Sequence, residues 1–462
     1  MKIKIVATIG PASGDFEIQE EMVKAGLNCA RFNFSHGNYD EFKRWTFNLR
    51  KIAQNLNRPL AIMQDLQGPR IRVGSLEKEV LLKEGDIIKI GFKEGDGDIF
   101  LDNSSIFEDL KPKERILFQE GEVEVLIKEK DKTCLIGEVI RGGKIEARKG
   151  ANFPDSKLNL SSLGHRDEKD ALYGLELGVD YVALSFVRKA EDIEQLRKFL
   201  ALHTKRPLPK IIAKIEKREA VDNIESILKA ADGIMVARGD LGIEIPREHV
   251  PLIQKELVNK ARAHGKLVII ATQMLESMIH RPIPTRAEVS DVANAILDGA
   301  DSVMLSEETS VGNYPVESVE QMAKIIKHTE KFLKEMPLEH SVSEVDVLGK
   351  AACGMALRVM AKYIVCVTNS GYTALMISKH RPPVPIIALT PFEQVYRQLS
   401  LVWGIEPKVL PLFHTTDELI FQSVDCLKKY KLVKPKDKII ILAGHPAGEA
   451  GHTNLLKMQT ID

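Results

Sequence analysis

The sequence predicts an α/β chain: a (β/α)8 barrel, interrupted by a small β-barrel-like lid domain and followed by an open α/β domain. Three observations predict it. Short apolar runs rich in Val and Ile recur, each leading into an amphipathic stretch. Runs without strict alternation are strands buried on both faces of a parallel sheet. Between 69 and 153 the pattern changes to apolar–charged alternation broken at glycines, as in antiparallel strands with one wet face. From about 345 the strand–helix rhythm restarts.

The predicted barrel strands are "KIKIVATIG" (2–10), "NCARFNF" (28–34), "LAIMQDL" (60–66), "YVALSFV" (181–187), "PKIIAKIE" (209–216), "DGIMVAR" (232–238), "KLVIIATQ" (266–273) and "DSVMLSE" (301–307). The stretches between them read as helices: "EIQEEMVKAG" ends on a capping glycine, and "SVEQMAKIIKHTEKFLKE" closes the series. Eight such units suit a barrel of residues 1–68 and 154–340, with the β domain at 69–153 in the loop after the third strand. That loop lies on the C-terminal face, where barrel sites form, so the insertion is placed to act as a lid. The C-terminal domain, 345–462, is read from "YIVCVTN", "VPIIALTP", "GIEPKVLP" and "DKIIILAG", with helical text such as "TTDELIFQSVDCLKKYK" between strands.

A chain of 462 residues is too long for one core. Lys plus Arg equals Asp plus Glu at 65 each, which argues against bulk attraction to nucleic acid or an anionic membrane. Five scattered cysteines (Cys29, Cys134, Cys353, Cys366, Cys426) form no C-x-x-C pair. They suit reduced, packed thiols and a cytoplasmic setting. The first apolar run is short and leads into a polar turn, so it reads as a strand rather than a signal peptide.

The predicted strand tips carry the chemistry. They bear Arg31, Asn33, Ser35 and His36; Asp65; Ser185; Lys214 and Glu216; Arg238, Gly239 and Asp240; Thr272 and Gln273; and Ser306, Glu307 and Glu308. A single Ser or Thr there is equally what a polar loop supplies. Lys214 is different, because it interrupts the apolar run "IIAKIE", where an unpaired ammonium is costly to bury. Glu216, two residues on, faces the same side of the strand. Glu216 and Asp240 come from neighbouring strands, and two carboxylates without Cys or His suit Mg2+ or Mn2+ rather than zinc. Gly239 leaves backbone bare, so its amide and that of Asp240 can approach an anion, aided by any helix beginning there. An ordinary D-x-G turn would look the same on this stretch alone.

Over essentially its whole length the chain resembles pyruvate kinases. The stretches that carry the resemblance are "KIVATIGPAS", "MVKAGLNCARFNFSHG", "DLQGPRIRVG", "IIAKIEKREAVDNI", "GIMVARGDLGIEIP", "ATQMLESMI", "PTRAEVSDVANAILDGADSVMLSEET" and "GHTNLLK". The resemblance implies phosphoryl transfer from phosphoenolpyruvate to ADP, giving ATP and pyruvate, in a divalent-ion-dependent homotetramer. It matches Glu216 and Asp240 to the metal ligands, and the Gly239 and Asp240 amides to a cradle for the substrate carboxylate. Lys214 matches the group that steadies the phosphoryl in flight and the enolate. Arg31 and Arg72 match phosphate-binding arginines, and Thr272 the threonine beside C3 of the enolate. Asn33, Ser35, Asp65 and Leu66 match a monovalent-cation pocket, with Asn33, His36 and Arg72 on the nucleotide side.

Two departures alter the expectation. Potassium-requiring members resemble "DTKGPEIRTG", whereas here Arg70 replaces the glutamate and Leu66, Gln67 and Val73 differ as well. Arg70 would put a fixed cation where potassium sits, so no K+ requirement is expected. "SEET" replaces the usual "SGET", and Glu307 is expected to be a solvated loop residue. In the C-terminal domain "TNSGYTA" places Thr368, Asn369, Ser370, Gly371 and Thr373 in an expected phosphate nest. The closing loop "GHPAGEAGHTN" has no Lys or Arg and carries Glu449, favouring a monophosphate effector, AMP or a sugar monophosphate, over a bisphosphate. A metal-dependent lyase or aldolase and a non-catalytic phosphometabolite sensor are the competing readings.

Overall fold

The computed structural model describes residues 1–76, 78–333, 343–445 and 453–462. Eight parallel strands close a barrel: β1 (Lys4–Thr8), β2 (Cys29–Asn33), β3 (Ala61–Asp65), β4 (Tyr181–Leu184), β5 (Lys210–Ile215), β6 (Gly233–Ala237), β7 (Leu267–Ala271) and β8 (Ser302–Leu305), with β8 pairing to β1. Their side chains alternate between two cores. Ile211, Ala213 and Ile215 of β5 face the helices, while Ile212 faces the lumen with Val6, Cys29, Met63, Ala183, Met235 and Met304. Period two therefore carries Thr8, Arg31, Asp65, Ser185 and Lys214, each two residues beyond a lumen residue, to one inward layer at the mouth.

All eight barrel strands end earlier than the predicted runs; β4 falls shortest, stopping at Leu184 before Phe186 takes a φ of +55°. β7 stops at Ala271 because Thr272 and Gln273 take φ of +68° and +56°. β8 stops at Leu305, and Glu307–Ser310 turn into a helix. The final barrel helix spans Pro315–Thr329 and tightens to a 3-10 turn at Glu330–Phe332; the predicted end, 334–335, lies outside the described residues.

The lid has its own core, built from residues such as Ile90, Ile116, Phe118, Val125 and Ile145. Six strands run in the order 151–152, 115–118, 123–130, 134–141, 87–91 and 99–100, beside a ribbon of 80–82 with 143–145. All pair antiparallel except 87–91 with 99–100. Both lid hinges meet one buried carboxylate: Asp167 accepts from the Gly68 amide at 3.0 Å and the Gly164 amide at 3.1 Å. Gly68 has φ of +69°, and a Cβ there would lie 2.9 Å from Phe186, so both conformation and space call for glycine.

The C-terminal sheet runs 405–409, 386–390, 363–367, 438–443 and 455–460. The last strand is absent from the sequence reading. It pairs antiparallel with 438–443 at the sheet edge and is largely half-buried, so "LLKMQT" lacks the apolar run that marks the others. Pro407 is tolerated because 405–409 is the opposite edge.

This domain seals the bottom of the barrel. Ser302 Oγ donates to the Leu401 carbonyl at 3.0 Å, Ser400 Oγ to that of Asn28 at 3.0 Å, and buried Lys4 Nζ to that of Ile405 at 2.7 Å. Burial pulls the Lys4 ammonium down from 10.5 to about 8, only partly offset by Glu330 and Glu406. Between those values the unfolded chain holds the proton that the folded chain has released, so the Lys4 contribution to stability rises with pH. Relative to Lys4→Met, wild type is expected to gain about 3 kcal/mol from pH 8 to 10.5. Paired melting curves at the two pH values check it; a constant difference would contradict it.

Candidate active site

The mouth layer is wired through two carboxylates. Asp65 Oδ2 accepts from Arg31 Nε at 2.7 Å, and its Oδ1 lies 3.4 Å from Lys214 Nζ. Lys214 Nζ also meets Glu216 Oε1 at 2.7 Å and Ser185 Oγ at 2.8 Å. Arg31 Nη1 donates to Thr8 Oγ1 at 2.8 Å. All these groups except the rim of Arg31 and Lys214 are almost wholly buried.

Burial alone would push the Lys214 ammonium down, but Asp65 and Glu216 outweigh it and hold it above its usual value. Burial would likewise push the Asp65 carboxyl up, and Lys214 and Arg31 bring it below the carboxylate range. Glu216 is different. Burial lifts its carboxyl, Lys214 opposes that, and nearby Asp240 adds to the lift.

Register explains why Asp240 is near. Lys214 pairs beside Met235, which brings Glu216 level with the end of β6. Asp240 follows on the short helix Arg238–Glu244. A buried carboxylate beside a second one, held short of full neutralisation, is the donor set that a hard dication completes. Among the described residues no group of three or more His, Cys, Asp and Glu side chains is placed to hold a metal, so the remaining ligands would be water and substrate oxygens. Glu216 Oε2 also accepts from the Phe186 amide at 2.8 Å, and Phe186 takes a φ of +55° to present it.

The mouth opens into a cleft of about 1030 Å3 between barrel and lid, lined by Arg31, Asn33, His36, Arg70, Arg72 and, from the lid, Arg148 and Lys149, among others. Burial lowers the His36 imidazole, and Arg70, Arg72, Arg31 and Arg166 push the same way. That records a dense positive field suited to phosphates. Arg70 Nη2 lies 3.8 Å from Asp240 Oδ1. At the lid tip, Gly121 sits against Ile243 of the Asp240 helix.

Several placements differ in detail from the sequence reading. The Gly239 amide does not stand free: it donates to Thr272 Oγ1 at 2.9 Å. Asp65 is engaged by two cations rather than lining an open pocket. Asn33 Oδ1 accepts from the Ser35 amide at 3.2 Å, and Leu66 takes part through its carbonyl, which accepts from Ser185 Oγ at 2.8 Å. Glu307, by contrast, is solvent-exposed as expected, on the cleft rim. Glu308 is buried and ties the two neighbouring loops, accepting from Leu275 N at 3.0 Å and Ser306 N at 2.7 Å.

Thr8 and the Phe186 amide escaped the sequence reading. Thr8 was within reach, since it stands two residues past lumen-facing Val6; the amide leaves no side-chain signal. In the distant C-terminal loop, Thr368 Oγ1 accepts from the Gly371 amide at 3.0 Å, Ser370 Oγ from the Tyr372 amide at 3.4 Å, and Thr373 and Thr453 hydroxyls meet at 2.6 Å. Asn369 lies within this turn, and Glu449 lies outside the described residues.

Residues 1–319 match the family model "Pyruvate kinase, barrel domain", and 346–459 match "Pyruvate kinase, alpha/beta domain". A pyruvate kinase of Geobacillus stearothermophilus is 44% identical, covering 100% of this chain and 80% of the relative. One from Clostridium perfringens is 41% identical with 100% of both chains covered. The crystal structure of a pyruvate kinase from Cryptosporidium parvum superposes with a TM-score of 0.92 at 34% identity, covering 100% of this chain and 96% of the other.

Proposed function

The chain belongs to the pyruvate kinase family of phosphotransferases, and from that premise we propose that it moves the phosphoryl group of phosphoenolpyruvate to ADP, with Mg2+ or Mn2+ held by Glu216 and Asp240 and without need of K+. The observation that carries the reading is the Lys214 ammonium, held between Asp65 and Glu216 and joined through Asp65 to Arg31, which lines an arginine-rich cleft. Such a site neutralises charge and offers no protein nucleophile, which is what phosphoryl transfer asks for.

In the proposed reaction the bond between phosphorus and the enol oxygen breaks, and one forms to a β-phosphate oxygen of ADP. A bound divalent ion would supply charge neutralisation to phosphoryl and carboxylate oxygens. Lys214 faces the phosphoryl oxygens and then the enolate oxygen, where negative charge accumulates. Arg31, fixed by Asp65 and Thr8, and Arg72 at the lid hinge hold phosphates in line. The Gly239 and Asp240 amides take the substrate carboxylate, which requires Gly239 to exchange its Thr272 partner for the ligand. Thr272 stands where C3 of the enolate receives its proton, through water, completing pyruvate.

The deciding assay is ADP-dependent pyruvate release coupled to ATP formation. A lyase or aldolase would release pyruvate without ADP, and a sensor would release none. Arg70, close to Asp240, supplies a fixed cation, so replacing K+ by Na+ is expected to leave turnover within about twofold, well under one hydrogen bond's worth of energy. Loss of activity in Na+ would reject that part. The reading extends to a homotetramer in the cytoplasm; among the described residues no helix is long and apolar enough to cross a membrane. It also includes AMP or a sugar monophosphate at Thr368–Thr373, to be tested by fluorescence titration against mono- and bisphosphates.

A further inference from the structure

Thr272 and Gln273 hold successive backbone conformations, φ +68° and +56°, that residues with a Cβ disfavour. Such strain persists where the surroundings over-determine it. One side chain does much of this. Arg238 Nη2 donates to the Thr272 carbonyl at 2.8 Å, and Nε reaches the Ala271 carbonyl at 3.4 Å. Nη2 also lies 2.9 Å from Met274 Sδ, beyond the turn. Nη1 is anchored at 2.7 Å on Asp291, which belongs to the helix Arg286–Asp298. The guanidinium is thus spent on protein acceptors, binding the start of the Asp240 helix to the end of β7.

The consequence falls on one hydroxyl. Thr272 Oγ1 donates to the Ala271 carbonyl at 2.6 Å and accepts from the Gly239 amide at 2.9 Å. Of the two carbonyls that Arg238 holds, that of Ala271 accepts from the hydroxyl, and that of Thr272 fixes the turn that carries it. Lysine cannot reproduce a rigid fork that donates in several directions at once.

We propose that Arg238, anchored by Asp291, is the positioning residue that aims the Thr272 hydroxyl at C3 of the enolate. The inference rests on the proton-delivery role proposed for Thr272. It is tested by C3 hydrogen exchange of pyruvate in D2O with Mg2+ and ATP, set against forward ATP formation, in the full-length enzyme and in Thr272→Ala, Arg238→Lys and Asp291→Asn. Thr272→Ala is expected to lose exchange. Arg238→Lys is expected to lower exchange about 10- to 100-fold, the scale of a misplaced catalytic group, and Asp291→Asn about 10-fold. The Michaelis constant for phosphoenolpyruvate and Mn2+ binding should hardly move, whereas general damage to the fold would shift both.

Asp291→Asn keeps the size and shape of a partly exposed side chain, so it serves if Arg238→Lys fails to fold. Wild-type exchange in the folded clamp variants, with loss in Thr272→Ala, overturns the clamp and leaves the role of Thr272 standing. Wild-type exchange in Thr272→Ala removes that role and the clamp with it.

Discussion

Lys214→Met is expected to slow phosphoryl transfer by about 100- to 1000-fold, the loss typical of deleting one preorganised electrostatic donor, with little change in the apparent affinity for phosphoenolpyruvate. The ammonium lies 2.7 Å from Glu216 and 3.4 Å from Asp65, in a layer that is almost entirely buried, so its field is not screened by water. Methionine fills the same space without charge. The fold should survive, because Arg31 still pairs with Asp65. Glu216, whose carboxyl burial already lifts, can take up a proton rather than remain an unpaired charge. Breaking such a buried pair costs about 3–5 kcal/mol of stability, so kinetics and melting must be read separately. Steady-state rates on protein verified as folded decide it. Turnover within fivefold of wild type would remove Lys214 from the reaction.

Glu216→Gln is expected to weaken divalent-ion binding by about 100-fold, the equivalent of one strong charge-assisted contact, and to depress activity in step at fixed metal concentration. Glutamine keeps the shape and can still accept from the Phe186 amide, but it brings no negative charge to partner Asp240. Mn2+ binding followed by electron paramagnetic resonance reads the metal directly, without turnover. Unaltered Mn2+ affinity would exclude Glu216 as a ligand. A loss of activity that excess metal restores would confirm that the charge acts through the ion.

Much of the barrel was legible because its strands announce themselves as short apolar runs, most of them carrying Val or Ile, and closure of eight parallel strands leaves little freedom in their order. The conspicuous residues of the mouth were legible for a second reason. A lysine inside "IIAKIE" is too costly to bury without a partner, and period two names Glu216 as the nearest one. Thr8 carried the same positional signal but no unusual chemistry, so it passed unnoticed. The terminal strand 455–460 was missed because an edge strand buries too little to need an apolar run.

By itself the sequence determined which side chains stand at the barrel mouth, since strict alternation along a buried strand leaves each one a single face. Only the tertiary structure decided how they are partnered. Asp65 bridges Arg31 and Lys214, the Phe186 amide takes the second oxygen of Glu216, and the Gly239 amide turns to Thr272. These pairings join residues about thirty or more positions apart in the chain. They depend on inter-strand register and on backbone strain at the strand tips, both set when the barrel closes, and no local pattern encodes either.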